Sequence, residues 1–115
     1  MNYDLANALA KQIRESAEVA EYRRLKSIVD ESETTRALLK EYKRLQVSVQ
    51  MSAMSGQPLS SEEMSRFQQI SSLLYAGTDT SAFLLAEMRL QQVLADIYNM
   101  IAQASGIQLE LPGIE

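Results

Sequence analysis

The side chains that most often carry catalysis or metal binding are missing or isolated in this sequence. No Cys and no His occurs among the 115 residues, which excludes disulfides, thiolate nucleophiles, iron–sulfur ligation and the usual zinc sites. Two carboxylate pairs remain, Asp30-Glu31 and Glu62-Glu63, but helix ends explain both, and a di-iron site would also need His. The four glycines are separate, so no phosphate-binding loop is present. We therefore expect a protein that is not an enzyme and uses no metal or cofactor.

Apolar spacing and capping residues predict the elements that would position any site. Leu, Ala, Glu, Gln, Arg and Met dominate long stretches without Gly or Pro, which favours helices, and no strand-length alternation interrupts them. The predicted fold is all-α, a single-domain bundle of about five helices over residues 1–106, with a tail over 107–115. The predicted helices cover residues 3–15, 17–30, 33–55, 61–75 and 80–105. The buried faces predicted for the first four helices are, in order, Leu5, Leu9 and Ile13; Val19, Tyr22, Leu25 and Val29; Leu38, Tyr42, Leu45 and Val49; and Met64, Phe67, Ile70, Ser71 and Leu74.

The clearest predicted boundary separates the third helix from the fourth. Gly56 suits the left-handed position that ends a helix, and Pro58 prevents continuation. Ser60 and Glu63 then have the spacing of a capping box, in which each side chain bonds the other residue's backbone N–H. Asn2, Ser16 and Ser32 are predicted to cap the first three helices.

The fifth predicted helix has the widest apolar face. Apolar residues repeat at heptad spacing at positions 83, 86, 90, 93, 97, 100 and 104, and Leu84, Leu94, Tyr98 and Ile101 widen this seam. Such a face needs several neighbours, so this long helix is expected at the centre of the bundle. Glu87 falls inside the apolar arc, which predicts a partly buried carboxylate paired with a Lys, Arg or Tyr. The alternative is a groove edge from which Glu87 reaches water.

An interface between copies is predicted where the third and fifth helices end. The candidate residues are apolar and close to the helix ends: Val49, Met51, Met54, Leu94, Tyr98 and Ile101. Short neighbours would leave these side chains uncovered, so we expect a homodimer or a complex with a related helical protein. Two alternatives remain: the Met residues fill a core, or the tail folds back through Ile107, Leu109 and Leu111.

A basic cluster lies in the first half of the chain. Residues 1–59 hold nine basic and eight acidic side chains, whereas residues 60–115 hold two and seven. The cluster comprises Arg23, Arg24, Lys26, Arg36, Lys40, Lys43 and Arg44. It is either a solvated face with local ion pairs or a docking patch for an acidic protein or RNA. A net charge of −4 and the lack of interleaved aromatics argue against RNA.

The N-terminal residues show no signal-peptide pattern, and no apolar run has the length of a membrane span. We therefore expect a cytoplasmic protein without a membrane partner.

Several segments together resemble a known family. They include Glu21-Tyr-Arg-Arg-Leu-Lys26, Leu38-Leu-Lys-Glu-Tyr42, the Gly56 to Glu63 boundary, and Ala86-Glu-Met-Arg-Leu90 leading into Asp96-Ile-Tyr-Asn-Met-Ile101. In order and spacing, residues 1–104 resemble the YlbF/YmcA family of small helical regulators from low-GC Gram-positive bacteria, most closely its short YheA-like branch.

The resemblance implies a regulatory role. Better-known members of this family act in a complex that influences competence, sporulation and biofilm formation, and they associate with the RNA-decay enzyme RNase Y. Some members carry cysteines that hold an iron–sulfur cluster. Because this chain has no Cys, the cluster does not carry over, and membership of that complex does not follow from the resemblance.

Overall fold

A computed structural model describes residues 1–107 of the chain as five α-helices. The helices are α1 (Asp4–Arg14), α2 (Ala17–Val29), α3 (Glu33–Ser55), α4 (Ser61–Ala76) and α5 (Thr78–Ser105). No strand occurs in this part of the chain. The predicted all-α class is confirmed, and each helix boundary lies within two residues of its predicted position.

Side-chain caps explain where three helices begin. Ser16 Oγ accepts a hydrogen bond from the N–H of Val19 at 3.3 Å, and Ser32 Oγ accepts one from Thr35 at 3.2 Å. Ser60 Oγ accepts one from the N–H of Glu63 at 3.1 Å. Each cap satisfies a backbone donor that the first helical turn leaves unpaired.

The start of α1 and the capping box differ in detail from the sequence-based prediction. Tyr3 is the residue that borders α1, and Asn2 contributes by accepting a hydrogen bond from the N–H of Asp4 at 2.8 Å. At α4, the hydrogen bonds of the described residues include the Ser60 half of the box but not the reciprocal bond from Glu63. The cap therefore supplies one bond instead of two.

Two glycines fix the ends of α3 and α4 by different means. Gly56 adopts the left-handed conformation with φ 75° at the end of α3, which costs a residue with a Cβ more than it costs Gly. Gly77 has an ordinary φ of −80°, but a Cβ there would lie 2.5 Å from Thr80 Oγ1. Thr80 Oγ1 donates a hydrogen bond to the carbonyl of Leu74. Gly77 is thus needed because a Cβ would collide with Thr80, and Gly56 because its backbone is left-handed.

Contacts between Cα atoms divide the chain into two compact units. One unit is Leu25–Ala82, and the other combines Met1–Arg24 with Phe83–Glu115. The predicted organisation as one domain over residues 1–106 therefore stays a prediction.

The Leu25–Ala82 unit has a dense apolar core between α3 and α4. Its buried side chains are Leu25, Val29, Leu39, Tyr42, Leu45, Ile70 and Leu74. The ring of Tyr42 stacks on that of Phe67 with centroids 5.5 Å apart, and it meets Tyr75 edge-on at 6.5 Å. Offset and edge-on ring pairs are the geometries that the charge distribution of aromatic rings favours. Of the faces predicted for α3 and α4, this unit buries Tyr42, Leu45, Ile70 and Leu74. Leu38, Val49, Phe67 and Ser71 are half-buried, and Met64 is exposed.

The other unit buries much less. Its buried apolar side chains are Val19, Phe83, Leu84 and Ala86, and the rings of Tyr22 and Phe83 lie 5.5 Å apart. No residue of α1 is buried, although its Leu5, Leu9 and Ile13 form an apolar stripe. Beyond Ala86, no residue of α5 is buried. Apart from Ile107, the predicted tail lies outside the described residues.

Candidate interaction surfaces

The second half of α5 presents an apolar face that the described residues cover only in part. Met100 is 67% exposed and Ile101 58% exposed, and Leu94 is also exposed. Leu90, Val93, Ile97 and Tyr98 are half-buried. The predicted interface residues Leu94, Tyr98 and Ile101 thus share one face of one helix. We name the face formed by Leu90, Val93, Leu94, Ile97, Tyr98, Met100 and Ile101 the α5 face.

The α5 face results directly from the heptad spacing. At 3.6 residues per turn, its seven side chains occupy a little less than half of the helix circumference. Polar residues such as Gln92, Asn99 and Gln103 occupy the other side. Helices in proteins gain most of their stability by packing such a face against a neighbour, so an apolar face of this width is a candidate contact surface.

The end of α3 presents a second, smaller apolar surface. Met51 and Met54 are exposed, and Val49 is half-buried. Exposed Met side chains are flexible and polarisable, so they adapt to partners of different shape. The alternative prediction was that Met residues fill the core, with Met51 and Met54 as the exceptions. It is wrong, because Met64, Met88 and Met100 are exposed as well. This surface belongs to the Leu25–Ala82 unit and the α5 face to the other unit.

The basic cluster is exposed, and most of its members already have partners in the chain. Arg24 pairs with Glu21 at 2.7 Å, Lys26 with Asp30 at 2.8 Å, and Arg44 with Glu41 at 2.7 Å. Arg36 donates to the backbone carbonyl of Asp30 at 3.0 Å. Arg23, Lys40 and Lys43 are the other exposed members. The cluster is also divided between the two units, with Arg23 and Arg24 in one and the rest in the other.

The ion pairs at Glu21 and Glu41 change pKa values. A side-chain hydrogen bond from Arg44 holds the pKa of Glu41 below its usual 4.5, and Arg66 approaches the same carboxylate at 3.4 Å. The same bond raises the pKa of Arg44, and the charge of Glu63 adds to this effect. The hydrogen bond from Arg24 likewise lowers the pKa of Glu21. Such short-range neutralisation is typical of a solvated face and leaves less positive charge for a nucleic acid.

Glu87 lies half-buried on α5, as the partial burial predicted for it requires. It takes part in an interaction within the chain. That its partner is a Lys, Arg or Tyr stays a prediction.

Sequence reasoning missed several exposed apolar residues. The following are all more than half exposed: Tyr3 beside α1, Leu5 on α1, Val47 on α3, and Leu73 and Tyr75 on α4. Leu5 belongs to the predicted stripe of α1, but spacing identifies an apolar face without revealing whether another element covers it. Among residues 1–107, no group of three or more acidic side chains could hold a metal ion. None of the described helices is both long and apolar enough to cross a membrane.

Comparison with curated proteins identifies relatives over most of the chain. A UPF0342 protein of Halothermothrix orenii is 31% identical over 99 residues, covering 86% of this chain and 84% of the relative. A UPF0342 protein of Caldicellulosiruptor saccharolyticus is 28% identical over 97% of this chain and 93% of its own length. A UPF0342 protein of Staphylococcus aureus strain Newman is 27% identical over 88% of this chain and 89% of its own length.

A solved structure has the same fold. It is a protein of unknown function (DUF964) from Bacillus stearothermophilus, with a TM-score of 0.71 and 17% sequence identity. The match covers 90% of this chain and 91% of that one. A family model described as control of competence regulator ComK, YlbF/YmcA, matches residues 2–104. The chain therefore belongs to the YlbF/YmcA family.

Proposed function

We propose that this chain is a non-enzymatic regulatory module that acts in the cytoplasm by binding other protein surfaces. The observation that carries the proposal is the α5 face, which remains apolar over several turns while none of its residues is fully buried within the described chain. A large uncovered apolar face on a small protein marks a site of association. The end of α3, with Met51 and Met54, is a second candidate contact of the same kind.

The family supports a role in regulation rather than in metabolism. The description of the family model names control of a competence regulator. The chain contains no His or Cys for nucleophilic, acid–base or metal chemistry. Members of such a family can act by masking or joining other proteins, which requires an adaptable apolar surface and no reactive group.

The alternative of an RNA-associated factor has weaker support. It would use the basic cluster of residues 23–44, where Arg24, Lys26 and Arg44 already pair with carboxylates. RNA binding through phosphate contacts weakens steeply with salt. A salt titration with labelled RNA therefore tests it, and tight, salt-sensitive binding that is lost in Lys40→Glu would favour RNA over protein as the partner.

Photo-crosslinking in the native cell tests the proposed function. A photoreactive amino acid replaces Ile101 on the α5 face, and a matched variant carries it at Gln103 on the polar side of the same helix turn. We expect discrete protein adducts from position 101 and few from position 103. If neither position yields an adduct, or both yield the same diffuse pattern, the α5 face is not a protein-binding surface.

A further inference from the structure

We propose that the outer face of α3 binds an amphipathic helical segment of another protein, with carboxylates in one half of the segment and apolar side chains in the other. The proposal rests on the proposed function, because it gives the chemistry of a protein partner for the end of α3. On α3, part of the basic cluster and the exposed Met residues form one continuous face.

Six residues of α3 form this surface, which we name the α3 face. At 3.6 residues per turn and 1.5 Å per residue, they lie within about 80° around the helix and about 27 Å along it. All six are exposed, and all belong to the Leu25–Ala82 unit. The basic members come first along the helix and the apolar members follow: Arg36, Lys40, Lys43, Val47, Met51 and Met54.

The first half of the α3 face keeps positive charge that a partner can reach. Lys40 makes no ion pair among residues 1–107. Arg36 donates to the backbone carbonyl of Asp30 at 3.0 Å, and because this acceptor is neutral, the guanidinium stays uncompensated. Lys43 already takes part in an interaction within the chain. Arg36 and Lys40 are therefore the charges on which the proposal depends.

The carboxylates of α3 do not cancel this charge. Glu41 lies about 120° away from the middle of the face, and it pairs with Arg44 at 2.7 Å and with Arg66 at 3.4 Å. Glu33 lies on the side of the face, but it is the first residue of α3, about 10 Å along the axis from Lys40. A positive surface on a chain of net charge −4 favours a partner with locally concentrated carboxylates.

The second half of the α3 face requires apolar side chains from the partner. Val47, Met51 and Met54 are each more than half exposed, and no acidic or basic residue follows Arg44 in α3. Removing such side chains from water favours association, and Met adapts its shape to the side chains it meets. The apolar half therefore supplies affinity, whereas the basic half sets the direction in which the partner segment lies.

A helical segment fits the α3 face better than an extended one. Extended segments bind by adding a strand to a sheet edge, and residues 1–107 contain no strand. A helix packs along another helix by fitting side-chain ridges into grooves, and about 18 residues cover the length of the face. The carboxylates of the segment would lie against Arg36 and Lys40, and its apolar side chains against Met51 and Met54.

The order of charge and apolar surface along α3 distinguishes this partner from RNA and from a membrane. RNA would use the basic half only, since the α3 face has no aromatic side chain on which a base could stack. A helix at a membrane surface has an apolar stripe along its whole length and basic residues on the other face. On the α3 face the basic and apolar halves instead follow each other along the axis.

Peptide selection followed by charge exchange tests the proposal. A yeast-displayed library of random peptides of about 18 residues is selected against the full chain, and fluorescence anisotropy measures the binding of enriched peptides. Lys40→Glu and Met51→Gln each change one half of the α3 face. Lys11→Glu and Met88→Gln are matched controls at exposed sites of the other unit. Circular dichroism checks that helicity is unchanged.

We expect the enriched peptides to carry carboxylates in one half and apolar side chains in the other. Lys40→Glu and Met51→Gln should each weaken binding about tenfold, and the two controls by less than about twofold. Replacing the acidic residues of the peptide with Lys should restore its binding to the Lys40→Glu variant to within about threefold of the original pair. Added salt should weaken the original pair.

Three results would overturn the proposal. The first is a selection that enriches no peptide, and the second is a set of peptides that bind the Lys40→Glu and Met51→Gln variants as tightly as the original chain. The third is the absence of peptide binding together with Lys40-dependent binding to vesicles of phosphatidylcholine and phosphatidylglycerol, which would assign the α3 face to a membrane.

The photo-crosslinking experiment separates the failure of this proposal from the failure of the proposed function. If no peptide binds the α3 face while position 101 yields discrete protein adducts, the α3 proposal falls and the proposed function stands. If neither experiment detects binding, both fall.

Discussion

Two neighbouring leucines on α4 allow a sharp test of how burial governs stability in the Leu25–Ala82 unit. Leu74 is 2% exposed and Leu73 is 61% exposed, although both belong to the same helix and differ by one position. Replacing either with Ala removes the same three carbon atoms and leaves helix propensity nearly unchanged. Any difference between the two variants therefore reports burial.

The expected magnitude for Leu74→Ala follows from the burial of its side chain. Losing about 0.8 kcal/mol per buried carbon gives roughly 2.4 kcal/mol, and the cavity left in a packed core adds to this. We expect a loss of about 3 kcal/mol in the free energy of unfolding. For Leu73→Ala, less than half of the side chain is covered, so we expect a loss below about 1 kcal/mol.

Urea unfolding followed by circular dichroism measures both variants. With an m-value of about 1.5 kcal/mol/M, Leu74→Ala should lower the midpoint by about 2 M and Leu73→Ala by well under 1 M. All chains are compared at one low protein concentration, because association would add to apparent stability. Equal midpoints for the two variants, with unchanged m-values, would refute the packing of α4 described above.

Four other substitutions give further expectations. Ser60→Ala should cost about 1 kcal/mol, measured by urea unfolding, because it removes one capping bond; a loss near 2 kcal/mol would indicate a complete capping box. Gly56→Ala should cost about 1 kcal/mol owing to its left-handed backbone, and an unchanged midpoint would contradict that conformation. The pKa of Glu41 is lowered on folding, so its contribution is present above pH 4.5 and lost as pH falls through the folded value. Glu41→Gln should therefore flatten part of the acid-side decline in a pH series of thermal unfolding, and an identical series would contradict the ion pair. Glu87→Gln should change stability clearly while Glu110→Gln should not; equal, negligible effects would show that Glu87 is simply solvated.

The interior of α2 and the boundary before α4 could be predicted from the sequence. Of the predicted α2 face, Val19, Leu25 and Val29 are buried and Tyr22 is half-buried, because apolar spacing on a short helix leaves one choice of face. Ser60 caps α4 as predicted. Both features depend on residues close in sequence, where geometry is fixed by the helix itself.

Features that depend on which elements meet were harder to predict. Leu39 is buried although Leu38 was assigned to the core face, since helical spacing does not choose between adjacent leucines. The stripe of α1 was identified, but Leu5 is 86% exposed. The candidate interface residues Leu94, Tyr98 and Ile101 were located on one face of α5, whereas spacing could not show that Tyr98 is half-buried while Leu94 and Ile101 are exposed.

The close approach at Gly77 constrains the order in which residues at the α4–α5 turn can be exchanged. An Ala at position 77 would push Thr80 Oγ1 away and cost its hydrogen bond to the Leu74 carbonyl, while its φ of −80° would accept a side chain without strain. Once position 80 has lost its hydroxyl, the obstacle disappears. Gly77→Ala should thus destabilise the present chain and be almost neutral in a Thr80→Ala background. Substitution at this turn is therefore tolerated only if position 80 is exchanged before position 77.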